Sequence, residues 1–276
     1  MQSPGTRSAW AGILEDGGLL QPDATTTTET VEAHRTLRAD ADGLVGALAV
    51  RDTDLPALRG TDVPVRIVLT TGAGGVVGTL GLAHRLGLPV QALQVSLRDT
   101  DDLVGNVRRV VVAADAARDE GVLDDDVRIH VDVPTDLPGG LDGSWARAAD
   151  EVAAAELALH LRTEGPVEVS PEEVARWIDA ALDRETPFSV QAPAAVSDQG
   201  RLGVVNLLLA TRQAFDGADP TTVTATLAGA APTEVLSAAR AEEYLPGARR
   251  WLTSVVVSDA ATVAEALSST GLPNGS

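Results

Sequence analysis

Residues 65–97 read VRIVLTTGAGGVVGTLGLAHRLGLPVQALQVSL. The stretch opens on an apolar run, turns through glycines, takes up a helical period over Gly74–Leu86, and closes on a second apolar run, Pro89–Leu97. Strand, helix, strand within about 33 residues is a βαβ unit, and such units imply parallel pairing with a right-handed crossover. The same alternation extends outward in both directions. VGALAV (45–50) predicts a strand before it, and VRIHVDV (127–133), LALHLR (157–162), FSVQ (188–191), TTVTATL (221–227) and TSVVV (253–257) predict strands after it. Helical stretches separate nearly all of them. Ser170 with Pro171 and Glu173 spells a capping-box start for one of these helices.

Eight such units in a chain of 276 residues predict a single (β/α)8 TIM-like barrel. No linker or shift in composition marks an internal boundary. The expected division is an N-terminal helical segment over 1–42 packed on a barrel domain over 43–276. The connection 52–62 is too short for a full helix.

Hydrophobic residues make up 44% of the chain, enough for a large core. No apolar run reaches the ~18 residues of a membrane span, and the opening MQSPGTRSAW lacks a signal-peptide core. A cytoplasmic protein is therefore expected. The net charge of −19 repels phosphate backbones and anionic bilayers, which argues against nucleic-acid and membrane partners. Cysteine is absent and all 21 basic residues are arginine. Disulfides, thiolate nucleophiles, cysteine-based zinc sites, Schiff bases and lysine general bases are thereby excluded. Whether the chain forms a homo-oligomer is not readable. Trp10, Trp145, Trp177 and Trp251 fit core or barrel-rim packing better than an interface.

Alternation assigns the strand faces. The barrel interior is expected to receive Arg66, Val68 and Thr70, then Gln94, Ser96 and Arg98, then Arg128, His130 and Asp132, then Ala158, His160 and Arg162. Ser189 and Gln191, Thr222, Thr224 and Thr226, and Ser254 and Ser258 complete the set. A barrel lumen ordinarily carries branched apolar side chains, so this polarity calls for either a ligand site or an inert internal network such as Arg128–Asp132. Asp132, His160 and Arg162 are the candidate catalytic group. A carboxylate tunes a neighbouring histidine as base or acid, and a guanidinium forks onto a carboxylate or phosphate. Arg98, Gln191, Asp16, Ser258 and the turn glycines Gly72, Gly74 and Gly75 are candidate ligand-binding residues. The expected ligand is a small anionic metabolite at the C-terminal mouth. Two histidines and Asp132 are also zinc-competent side chains, but their spacing matches no familiar zinc motif, so no metal is assigned. His34 and His84 are expected on helix surfaces.

The turn over 72–78 nearly spells a dinucleotide fingerprint, with Asp99 about 20 residues on. Its spacing fails at Val77, and the unit is not the first of the series. An NAD(P)-dependent oxidoreductase is therefore an alternative to a metabolite-binding barrel; otherwise the cofactor is unknown.

Three regions carry a further signal. GILEDGGLLQP (12–22), followed by LVGALAVRDTDLPAL, resembles the opening Leu-Ile-Asp-x-Ala-Gly-Leu-Phe-Pro-Pro of a family of uncharacterised actinobacterial proteins. LHLRTEG (159–165), SPEEVARWIDAALDRETPFSVQAPAAV and GVVNLLLA resemble its Lys-x-Arg-Thr-Gly-Gly strand, its Pro-Phe-Lys-x-Thr-Ala-Gly-Leu-His-His segment and its Gly-Phe-Leu-Asn-Leu-Leu-Leu-Ala helix. ARRWLTSVVVS (248–258) resembles its closing Arg-Arg-Phe-x-x-Ser-Phe-Gly. The resemblance implies one barrel-like domain and supplies no reaction. Asp16, Arg162, Asn206, Arg249, Arg250 and Ser254 keep the pattern. The two family lysines fall at His160 and Ser189, and the family's histidine pair at Ala194 and Ala195. If those lysines and histidines are catalytic in the family, the departures imply an altered or catalytically inactive member with a ligand-binding or assembly role.

Overall fold

A computed structural model describes residues 8–22, 24, 26–163, 169–197, 202–229 and 231–272. Eight parallel strands close into a barrel in sequence order. They are β1 (Leu14–Asp16), β2 (Val45–Arg51), β3 (Val65–Leu69), β4 (Val90–Ser96), β5 (Arg128–Asp132), β6 (Ala158–Leu161), β7 (Phe188–Gln191) and β8 (Leu252–Val257). The helices are α1 (Thr28–Asp40), α2 (Val76–Leu86), α3 (Leu103–Asp119), α4 (Ser144–Ala154), α5 (Pro171–Leu182), α6 (Val204–Phe215), α7 (Pro220–Ala228), α8 (Pro232–Ala241) and α9 (Ala260–Ser269). A 3-10 turn over Asp52–Leu58 replaces a helix between β2 and β3, as the short connection requires.

The barrel and seven of its eight strands are as expected, but two assignments change. Residues 14–16, placed by the sequence in an N-terminal segment, form β1 and close the barrel between β2 and β8. With α1 they supply the first βα unit, so the 42/43 boundary falls inside the barrel. Three residues are too few to display an alternation. Conversely, the TTVTATL stretch is not a strand but α7. The Asp219 side chain accepts from Thr221 N, Pro220 stands in the first turn, and Gly229 closes the helix at φ 63°. These start and stop signals override the strand preference of its threonines and valine. Thr222, Thr224 and Thr226 therefore leave the lumen. Thr226 Oγ1 instead donates to Gln213 Oε1 at 2.8 Å, and its carbonyl accepts from Asn206 Nδ2 at 2.6 Å.

The apolar faces of strands and helices pack into one continuous layer. Trp177 meets Phe188 edge to face at 5.3 Å between ring centroids, and all four tryptophans are buried. A buried aromatic or aliphatic side chain of this kind contributes about 1.5–3 kcal/mol. Ser170 caps α5 through a reciprocal bond with Glu173, matching its sequence signature. Among the described residues, no helix is long and apolar enough to cross a membrane.

Candidate functional site

The lumen is polar through its middle. Arg66, wholly buried, donates from Nη1 to Glu15 Oε2 at 2.8 Å, from Nε to Gln94 Oε1 at 3.1 Å and from Nη2 to Ser189 Oγ at 3.0 Å. Ser189 Oγ lies 2.8 Å from His160 Nδ1 and 2.9 Å from His130 Nδ1. One assignment of protons satisfies the set: Arg66 and His130 Nδ1–H donate to Ser189, and the Ser189 hydroxyl donates to His160 Nδ1. Desolvation pushes both imidazoles well below the ordinary histidine range, and the Arg66 charge pushes them further down. Both are neutral. A buried guanidinium is tolerated because Glu15 cancels its charge and its other N–H groups have acceptors.

Glu15 was invisible to the sequence reading because its strand was. Arg66, Gln94, His130, His160, Ser189 and Ser254 do lie buried on the inner strand positions that alternation assigned. The suggested Arg128–Asp132 pair does not form. They stand at opposite ends of β5, and Asp132 pairs instead with Arg162, whose Nε is 2.8 Å away. His34, expected at the surface, is buried on α1, with Nδ1 2.9 Å from Asp16 Oδ2. His84 is exposed.

At the C-terminal mouth, Asp132 ends β5 and is register-paired with Ser96 of β4 and His160 of β6. Ser96 Oγ donates to Asp132 Oδ2 at 2.8 Å. The Asp132 side chain is 5% exposed while that of Arg162 is 54% exposed, so a buried carboxylate carries a solvent-facing guanidinium. Desolvation raises the Asp132 carboxyl above its ordinary range, with Arg162 and Ser96 acting against it. Arg98 follows β4 and donates to the Thr70 carbonyl. In the amide orientation that satisfies its bonds, Asn106 accepts from the backbone N–H of Arg98 and of Asp99, holding this loop.

The remaining candidates lie around the same rim. Asp16 ends β1, accepts from Gly18 N at 3.1 Å and binds His34. Ser258 follows β8, the strand that pairs with β1. The Gln191 carbonyl accepts from Thr163 Oγ1 at 2.5 Å. Gly72, at φ 72°, and Gly75 bracket a 3-10 turn closed by Gly75 N to Gly72 O at 3.0 Å; Gly74 lies inside it. The Asp52 carboxylate already accepts from Thr70 N and Thr70 Oγ1 there, at 3.1 and 2.7 Å. Glu164 and Gly165 of the family-like stretch lie outside the described residues. Among the described residues, no group of three or more His, Asp and Glu side chains is gathered to hold a metal ion.

A second feature lies at the opposite end of the barrel. A cavity of about 580 Å³ is lined by residues at or before the starts of strands, including Gly12, Val45, Ala92, Arg128 and Ser254, and by Arg38 and Arg249. It is not legible in the sequence, because its wall is assembled from strand starts, loops and the last turn of α1.

No family model matches the chain, and no curated protein matches it. Among solved structures it is similar to QR15, an aldolase, with 12% identity and a TM-score of 0.50 over 98% of this chain and 99% of that one. It is more distantly similar to a Xanthomonas albilineans dihydropteroate synthase in complex with indole-2-carboxylic acid and 6-chloroguanine, with 18% identity and a TM-score of 0.32 over 96% and 80% of the two chains. The arginine decarboxylase of Paramecium bursaria Chlorella virus gives 9% identity and a TM-score of 0.37 over 86% and 64%. At these identities the likeness concerns architecture alone: the chain is a TIM-barrel protein.

Proposed function

We propose that this TIM barrel binds a small anionic metabolite at its C-terminal mouth, with Asp132 exchanging a proton as the ligand arrives. The observation that carries the reading is the Asp132–Arg162 pair, a buried carboxylate under a half-exposed guanidinium at the face where TIM-barrel sites lie. Arg162 spends Nε on Asp132, and its outer fork suits a carboxylate or phosphate. Arg98 adds a second cation at the end of β4. A ligand anion that draws Arg162 away leaves Asp132 buried without its cation. Its pKa then rises further, and the carboxyl takes up a proton. His160 holds the floor of this site through Ser189 and Arg66 and does not supply the proton, since burial keeps it neutral.

The test is calorimetry with oxalate, succinate and glycolate 2-phosphate in buffers of differing ionisation enthalpy. Saturable binding with proton uptake is expected. Arg162→Gln should lose at least tenfold in affinity, and Asp132→Asn should bind without uptake. Binding without proton uptake in the unmodified protein would sink the assignment to Asp132.

One further observation favours binding without turnover. Positions 160 and 189, where the resembled family carries lysines, are cross-strand partners, and their side chains bond each other at 2.8 Å. A neutral pair beside Arg66 would fill the place of two cations, which supports the catalytically inactive reading. Following ligand resonances by NMR over a day separates the two. Schiff-base aldol chemistry is closed to a chain without lysine. The dinucleotide alternative is opposed by Asp52, whose carboxylate sits on Thr70 just before the turn and would repel a pyrophosphate.

A further inference from the structure

We infer that the cavity at the N-terminal end of the barrel is a binding site for a small oxyanion of two or more negative charges. The site is separate from the mouth and independent of the function proposed there.

Three guanidinium groups line the cavity, those of Arg38, Arg128 and Arg249. They come from three different places: the last turn of α1, the first residue of β5 and the 3-10 turn before β8. Arg249 is anchored by Nη2 to the Ala11 carbonyl at 3.3 Å. Among the described residues, neither the Arg38 nor the Arg128 guanidinium has an ion pair or hydrogen bond. In a chain of net charge −19 such a gathering of cations opposes the global field. Two carboxylates also line the space, those of Glu15 and Asp126. The charge of Glu15 is taken by Arg66 at 2.8 Å, so the cavity retains an excess of cations over the rim carboxylate of Asp126.

An independent observation points the same way. Ser254 is 4% exposed, lines the cavity, and its Oγ is buried with no hydrogen-bond partner. A buried hydroxyl without a partner is destabilising, and an oxyanion held by the arginines supplies the missing acceptor. Space for it exists because the bottom layer of the barrel is built from small residues, Gly12, Gly46, Ala47 and Ala92, in place of the branched side chains that ordinarily fill this layer. The volume of about 580 Å³ is that of a metabolite pocket.

Phosphate esters and polycarboxylates share the required chemistry, so the experiment runs pyrophosphate and citrate as separate arms against the full-length protein. Each is titrated by calorimetry and by thermal shift, with Arg128→Gln, Arg38→Gln and Ser254→Ala beside the mouth variant Arg162→Gln. Circular dichroism checks that each variant is folded. The expected result is saturable binding of at least one anion that weakens tenfold or more in Arg128→Gln and in Arg38→Gln, weakens severalfold in Ser254→Ala and is unchanged in Arg162→Gln. The arm that binds names the ligand chemistry. Two results overturn the inference: no saturable binding of either anion, or binding that is undiminished in Arg128→Gln and Arg38→Gln. Failure here leaves the mouth proposal standing, because that proposal is read from the opposite pattern of variants.

Discussion

The two ends of this barrel treat charge in opposite ways. At the C-terminal mouth the candidate charges described above have partners within the chain. Asp132 holds Arg162 and Ser96, Arg98 reaches the Thr70 carbonyl, Asp16 holds His34, and Arg51 donates to the carbonyls of Leu19, Leu20 and Gln21. At the N-terminal end Arg38 and Arg128 face a cavity with no such partners among the described residues. Between them the Arg66–Glu15 network is closed on itself. The lesson is that polarity in a barrel lumen has at least three meanings, and only the partners of each group tell them apart: a self-satisfied layer, a pre-paired mouth, and an unpaired pocket.

The comparison breaks most visibly at its centre. Arg66→Met leaves Glu15 buried without its cation, and should cost about 3–5 kcal/mol in denaturant unfolding. Adding Glu15→Leu should recover part of that loss. A cost under about 1 kcal/mol for the single variant would mean that the middle layer is not a closed unit.

The next effect is in acid. His130 and His160 have folded-state pKa values well below the ordinary 6.5, so below that pH the unfolded chain binds more protons than the native one. Stability should therefore fall as pH drops through 6.5, by up to about 1.4 kcal/mol per pH unit for each histidine. His130→Gln should reduce that slope by one proton, measured by urea unfolding between pH 7 and 5.

Asp132 bends the curve the other way at lower pH. Its raised carboxyl pKa means the native state holds its proton more tightly than the unfolded chain. That contribution is present below the ordinary carboxylate range and is lost as pH rises through the folded value. The stability of Asp132→Asn relative to the unmodified protein should accordingly improve with rising pH across that interval.

The smallest effects sharpen the contrast between the ends themselves. Arg162→Gln leaves the buried Asp132 carboxyl without a half-exposed cation, but that carboxyl can take up a proton, so the cost should be about 1–2 kcal/mol, well below that of Arg66→Met. Arg38→Gln removes a cation that has no ion pair, and its unfolding free energy should match or slightly exceed that of the parent, within about 0.5 kcal/mol.

How much of this the sequence could say follows from the physics of each part. Strands of five or more residues with alternating faces, such as RIHVD and VQALQVS, exposed their inner side chains directly, and most of the polar lumen was legible from them. Glu15 was not, because a strand of three residues has no period to read. The threonines of α7 misled because their β-branched composition spoke more loudly than the Asp219–Pro220 start and the Gly229 stop. The partner of Asp132 was misjudged because interior charge pairs depend on height along the barrel axis: Arg128 and Asp132 share a strand and a face, yet stand about 13 Å apart at 3.3 Å per residue. The N-terminal cavity was beyond reach for a different reason, since Arg38, Arg128 and Arg249 are distant in sequence and meet only once the barrel is closed.

The seam between β1 and β8 has a consequence for how the chain acquires its shape. Leu14–Asp16 pair with Val255–Val257, so the ladder that closes the barrel joins strands from its two most widely separated parts in sequence. Arg66 draws its partners from both sides: its carboxylate lies 51 residues upstream and its serine 123 residues downstream. During synthesis the first strand emerges early and must remain unpaired on one edge until the eighth arrives, with a cation already committed to the interior. Such long-range closure slows folding and leaves a strand edge exposed in the interim. The carboxylate that neutralises Arg66 is available early, whereas its serine and the closing ladder arrive late, and a truncation before Leu252 should leave a molecule that collapses but does not close.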